Sequence, residues 1–290
     1  MLLTLLRAIS IVHRRAFSFT DDSASVPSRA DTSAPLLIAA RSRDQLFLRP
    51  MDTAPQLIKF RQIQSSCYQE LFQSGRQPSE GSLRFVWATL RDLHEWYQGL
   101  PAGIQEPVKI AFRSEMLYTS IVILSPSEKI HSISEYAEAL IFEYAVDYAG
   151  LMRSVCGGTG KYAFCTYLDA LRASFIGRRL LNVLQSKQSR ALDAGTVSSP
   201  QPPSGTLLPP PLPNRRSDEN LDRARTAIDQ LTDVLEFLGR RFGYTGLCED
   251  FRTEARDIGM IFSAENLGSG LGSIDGAASQ FLYGQANSAF

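Results

Sequence analysis

FRQIQSSCYQELF, residues 60–72, carries the pattern that decides the fold class. Phe60, Ile63, Cys67 and Leu71 recur at steps of three or four, with Tyr68 and Phe72 beside them, and Gly75 and Pro78 end the run. An α-helix turns once in 3.6 residues, so this spacing gathers apolar side chains on one face, whereas a strand would alternate them. The same period continues outward. Leu83, Val86, Leu90, Leu93, Tyr97 and Leu100 predict a second helix, opened at Ser79 or Ser82 and closed at Pro101. A third runs from Pro107 to about Leu124 and stops at Ser125–Pro126. A fourth starts near Ser132 or Ser134, where Ser132 and Glu135 read as a capping box, and contains Tyr136, Leu140, Tyr144, Leu151 and Val155. The fifth spans Tyr162 to Leu184 with Leu168, Leu171, Phe175 and Leu180 facing inward.

The composition changes from Asp193 to Pro213, where SSPQPPSGTLLPPPLPN holds many prolines and almost no charge. Such a stretch builds no core and reads as a flexible or polyproline spacer. Beyond it, Leu221, Ile228, Leu231, Leu235 and Leu238 predict a helix over 217–242, and a shorter one is expected over 247–261. The Gly-, Ser- and Ala-rich end is expected to be disordered. The expected organisation is therefore a helical core over 1–192, a Pro/Ser-rich disordered spacer over 193–216, C-terminal helices over 217–262 packing on the core, and a disordered tail over 263–290. The fold class is all-α, an irregular, solenoid-like array of helices.

Thirty basic residues balance thirty acidic ones, so no overall field draws the chain to nucleic acid or an anionic membrane. No apolar run reaches the length of a membrane span. Cys67, Cys156, Cys165 and Cys248 are too far apart in sequence for a structural zinc site and read as buried or half-buried free thiols. CGGTGKY, residues 156–162, lacks the first glycine, the hydroxyl after lysine and the preceding strand of a phosphate loop, and reads as a connection between helices. His13, His94 and His131 lack metal-ligand spacing, and Asp21 and Asp22 fit a turn or cap better than a cation. The doublets Arg178–Arg179, Arg215–Arg216 and Arg240–Arg241 read as solvated helix edges. Tyr136, Phe142, Tyr144 and Tyr148 share helical spacing and read as a core stripe whose hydroxyls reach its rim. No catalytic residue or metal ligand set is assigned, cofactor-binding residues stay unknown, and no cofactor is expected.

The order of these segments resembles the middle homology region of fungal binuclear zinc-cluster transcription factors. SIVHRRAFSFTDDSASVP, residues 10–27, is similar to that family's helix followed by an acidic-hydroxyl loop. FRQIQSSCYQELF is similar to its helix with an Arg-x-Ile-Gln core, and Trp96 stands where the family has a tryptophan before a loop. LYTSIVILSPSEKIHSISEYAEAL (117–140), DALRASFIGRRLL (169–181) and DRARTAIDQLTDVLEFLGRRF (222–242) resemble its later helices in the same order. The family's six closely spaced cysteines are absent, and the likeness begins inside the homology region, so the core is expected to be truncated at its N-terminal side.

The resemblance implies a nuclear transcription regulator acting through protein partners, a transcription factor or a coactivator, on metabolic or secondary-metabolite genes. It implies no autonomous recognition of a DNA sequence. MLLTLLRAISIVHRRAFSF carries Arg7, Arg14 and Arg15 and no acid before Asp21, the composition of a mitochondrial transit peptide. The alternative is therefore a mitochondrial helical enzyme or assembly factor with residues 1–30 as its transit peptide.

Overall fold

The computed structural model describes residues 50–72, 82–127, 132–157, 165–186, 208–212 and 217–270. The described residues are all-α, with seven helices and no strand. They are α1 (Pro50–Phe72), α2 (Ser82–Gln98), α3 (Glu106–Leu124), α4 (Glu135–Gly157), α5 (Tyr167–Ser186), α6 (Ser217–Phe242) and α7 (Gly246–Gly270). Each helix packs against the next in sequence. Four further contacts link helices two apart: α1 with α3, α3 with α5, α4 with α6 and α5 with α7. This banded pattern is an array that advances along its own sequence.

α3 is the central strut. Its first turn carries Glu106 and Pro107, where a missing proline N–H costs nothing. Every residue from Met116 to Leu124 is buried. The helix stops at Ser125, whose backbone N–H and hydroxyl both donate to the Ile121 carbonyl, at 3.0 and 2.6 Å.

At one end, Trp96 fastens α1, α2 and α3 together. Its ring lies 4.6 Å from Phe60 and 5.2 Å from Phe112, and its Nε1 donates to the Gln56 carbonyl at 3.0 Å. Tyr and Trp carry both apolar area and a polar handle, and this one uses both. At the other end, α5 and α7 approach so closely that a Cβ on Gly177 would stand 2.6 Å from Phe251 Cε2. α6 ends in a left-handed turn at Gly243, with φ 69°, which lets the Tyr244 N–H reach back to the Gly239 carbonyl at 2.9 Å.

Several boundaries and faces differ from the sequence-based expectation. α1 begins at Pro50, ahead of the Phe60 stripe, and continues through Pro55. The cap of α4 is Ser134 rather than Ser132, since Ser134 Oγ accepts the Ala137 N–H at 3.2 Å. α5 begins at Tyr167 rather than near Tyr162. Thr166 caps it, with both its N–H and its hydroxyl donating to Asp169 Oδ2 at 2.7 and 2.9 Å. The face of α5 is also turned: Leu168, Leu171 and Phe175 are only half-buried, while Ala170, Ala173, Ile176 and Gly177 lie in the core. Small residues admit close neighbours, so they take the face that bulky side chains were expected to hold.

α7 extends to Gly270, past the expected stop near 261 and into the segment expected to be disordered from 263. The expected spacer is also fastened in part. Pro209 is buried, Leu212 packs on the core, and the Tyr136 hydroxyl donates to the Pro210 carbonyl at 2.5 Å. A polyproline segment has carbonyls with no internal partner, so a protruding tyrosine hydroxyl can hold it.

Candidate functional site

Charge is concentrated inside the array at Glu115, on α3. Arg61, from α1, grips its carboxylate with both terminal nitrogens: Nη1 donates to Oε2 at 3.0 Å and Nη2 to Oε1 at 3.1 Å. Arg172, from α5, places Nη2 2.7 Å from Oε1. Gln64 donates to Glu115 Oε2 at 3.4 Å and to the Thr119 hydroxyl at 2.7 Å, and Thr119 in turn donates to the Glu115 carbonyl at 2.8 Å. Arg61 also donates to Gln64 Oε1. Arg172 has a second acid, Asp169, whose Oδ1 accepts from Nη1 at 3.1 Å. The Arg172 guanidinium lies 5.4 Å from the centre of the Tyr118 ring.

The spacing explains why three helices meet here. Arg61 and Gln64 are three apart on α1, as Asp169 and Arg172 are on α5, so each pair shares a helix face. Burial alone would raise the Glu115 carboxyl. The charges of Arg172 and Arg61, with the hydrogen bonds from Arg61 and Gln64, outweigh it and hold the pKa at about 2. Burial likewise opposes the charge on Arg172, but Glu115 and Asp169 together raise its pKa. Glu115 and Arg172 are both ionised at neutral pH. Glu115 is therefore an ionic fastener and too weak a base to take a proton there.

A second bidentate pair ties α6 to α4. Both terminal nitrogens of Arg223 reach Glu143 at 2.7 Å, and Nη1 also donates to Asn220 Oδ1 at 2.8 Å. Between the N-terminal part of α4 and the C-terminal half of α5 lies a cleft of about 300 Å³, lined among others by Ser132, Glu138, Ile141, Arg179 and Asn182.

The tyrosine stripe is buried more deeply than expected. Tyr148 and Tyr144 do not reach a rim: their hydroxyls are enclosed and find no hydrogen-bond partner among the described residues. Burial first, then nearby negative charge, raises both phenols above their ordinary value. His94 Nδ1 donates to the Leu90 carbonyl at 2.8 Å and its ring sits 5.9 Å from Tyr144. The four thiols are free; Cys67, Cys165 and Cys248 are buried and Cys156 is half-buried. Arg178 meets Asp250 and Glu254 on α7, and Arg240 meets Glu236, so these doublets are paired helix edges.

His13, His131, Asp21, Asp22, Arg215, Arg216, residues 158–162 of the glycine-rich stretch and the stretch 1–30 lie outside the described residues. Among the described residues, no group of three or more His, Cys, Asp or Glu side chains is placed to hold a metal ion, and no helix is long and apolar enough to cross a membrane. The Glu115 cluster was not singled out from sequence. Its signal is a carboxylate at the edge of an uncharged stretch, since no charge follows Glu115 until Glu128.

Compared with protein-family models, curated proteins and solved structures, the chain finds no match.

Proposed function

We propose that this chain is a transcription-regulator-like scaffold that acts in the nucleus through a transcription factor or coactivator and does not itself recognise a DNA sequence. It tunes a metabolic or secondary-metabolite gene set. One observation carries the proposal. Three segments that resemble the zinc-cluster factors' middle homology region contribute Arg61 and Gln64, Thr119, and Asp169 and Arg172, and these residues gather around Glu115. Segments that share an order in sequence thus also share one buried joint, which is the behaviour of a single architectural unit. A rigid array with faces on several helices suits work done by contact.

The experiment fuses the full chain to a heterologous DNA-binding domain in front of a reporter gene. A change in reporter output relative to the domain alone is the expected result; an unchanged reporter with the fusion present in the nucleus overturns the proposal. Sequence-specific binding by the purified chain at physiological salt would overturn the claim about DNA. The arginine-bearing N-terminal stretch favours a second reading, a mitochondrial enzyme or assembly factor. Mitochondrial import of a C-terminally tagged chain, with loss of residues 1–30, supports that one alone.

A further inference from the structure

We propose that the segment Leu208–Leu212, with the sequence that follows it, is a docking site for an SH3 domain, masked in the free chain because Tyr136 holds the face that such a domain would grip. The segment reads LPPPL, and its prolines at 209, 210 and 211 fix φ at about −65° and carry no N–H. That chemistry favours the polyproline helix, which repeats every three residues and has no internal hydrogen bonds.

Burial in the structure follows the three-residue repeat. Leu208 and Pro211, three apart, form an exposed edge, whereas Pro209 is buried and Leu212, three further on, packs on the core. Pro210 lies between these edges, half-buried, and its carbonyl accepts the Tyr136 hydroxyl at 2.5 Å. Behind Tyr136 stands Trp87, edge-on with ring centres 6.3 Å apart.

Domains that recognise polyproline use the same parts. Aromatic side chains form the groove, and two of the three edges of the ligand face it. The core therefore grips this segment as a receptor would, and from the same side.

The partner's class follows from the sequence beyond. PPLPNR, residues 210–215, sets two prolines three apart, a spacing that puts both on one edge of a polyproline helix, and Arg215 two places after the second. Arg216 follows, and no acid stands between Asp193 and Asp218. An SH3 groove ends in an acidic pocket, so a cation just beyond the second proline complements it and fixes the direction of the ligand. Residues 213–216 lie outside the described residues.

The two grips exclude each other. An SH3 domain binds only the fraction of the chain whose segment has left Tyr136, and the apparent affinity falls by that fraction. The inference goes beyond the proposed role in transcription and does not rest on it.

The test measures, by isothermal titration calorimetry, the binding of a panel of purified SH3 domains to a synthetic peptide of residues 206–217 and to the purified full chain. The expected result is that at least one domain binds both, the peptide more tightly than the chain. The full chain carrying Tyr136→Phe should bind that domain about fivefold more tightly than wild type, the equivalent of one hydrogen bond. In the peptide, Arg215→Glu combined with Arg216→Glu should weaken binding roughly tenfold. A peptide that no domain binds, a chain bound as tightly as the peptide or not at all, or peptide binding indifferent to the charge reversal would overturn the proposal. Equal affinities of wild type and Tyr136→Phe would overturn the masking. The comparison of peptide with wild-type chain decides even where the variant fails to fold.

Discussion

Glu115 shows how much one side chain can carry. Two guanidinium groups face its carboxylate from different helices, so Glu115→Ala leaves both buried cations without their shared counter-ion. Breaking a buried pair by removing one partner typically costs about 3–5 kcal/mol, and the loss of midpoint in urea unfolding should fall in that range. The pH dependence has a definite sign. The folded pKa lies at about 2, below the ordinary 4.5, so the stabilisation is fully present above 4.5 and is lost as pH falls through 2. Acid titration of the unfolding free energy should show a decline in that window worth on the order of 3 kcal/mol, absent in Glu115→Ala. At the opposite extreme, the Cys67 thiol, pushed up to about 12 mainly by burial, should stay unmodified by alkylating agents in the folded chain.

Among the elements, the close approach of α5 to α7 and the fastened proline segment are separately testable. Gly177→Ala would put a methyl carbon 2.6 Å from the Phe251 ring, inside contact distance. Overpacking of this kind should destabilise the chain by about 1–3 kcal/mol. Gly177→Ala combined with Phe251→Leu should cost less than the sum of the two single changes, as a double-mutant cycle in denaturant would reveal. Tyr136→Phe keeps the ring and removes the hydroxyl that donates to the Pro210 carbonyl. The expected loss is about 1 kcal/mol, with faster proteolytic cutting near residues 208–212. An unchanged cutting rate would mean that packing of Pro209 and Leu212 holds the segment without the hydroxyl.

For the whole molecule, the banded order of contacts has a thermodynamic consequence. The buried apolar residues form one continuous cluster from Phe60 on α1 to Ile258 on α7, and ionic joints bridge α1, α3 and α5 at one place and α4 and α6 at another. One core crossed by two such joints should unfold as a unit, so circular dichroism and tryptophan fluorescence should report the same midpoint. Trp87 and Trp96 both lie on α2, toward the N-terminal end of the array, while the dichroism averages every helix. Separate midpoints would show that the two ends melt independently.

Period alone was enough to make the described residues all-helical. The stripes of Phe60–Leu71, Val86–Leu93 and Leu231–Leu238 have no other economical burial, and the breaks at Ser125–Pro126 and Pro101 follow from backbone chemistry a single residue can impose. Local sequence could not settle which face of α5 turns inward, because Ala170, Ala173 and Gly177 are buried by what approaches them rather than by their own hydrophobicity. Nor could it pair Arg61 with Glu115 and Arg172, or hold Tyr136 to Pro210, since these partners lie 54 or more positions apart and their attraction depends on distances that only packing sets. Helix formation here is a property of the nearest few residues. The ionic joint and the anchored proline segment belong to the assembled array.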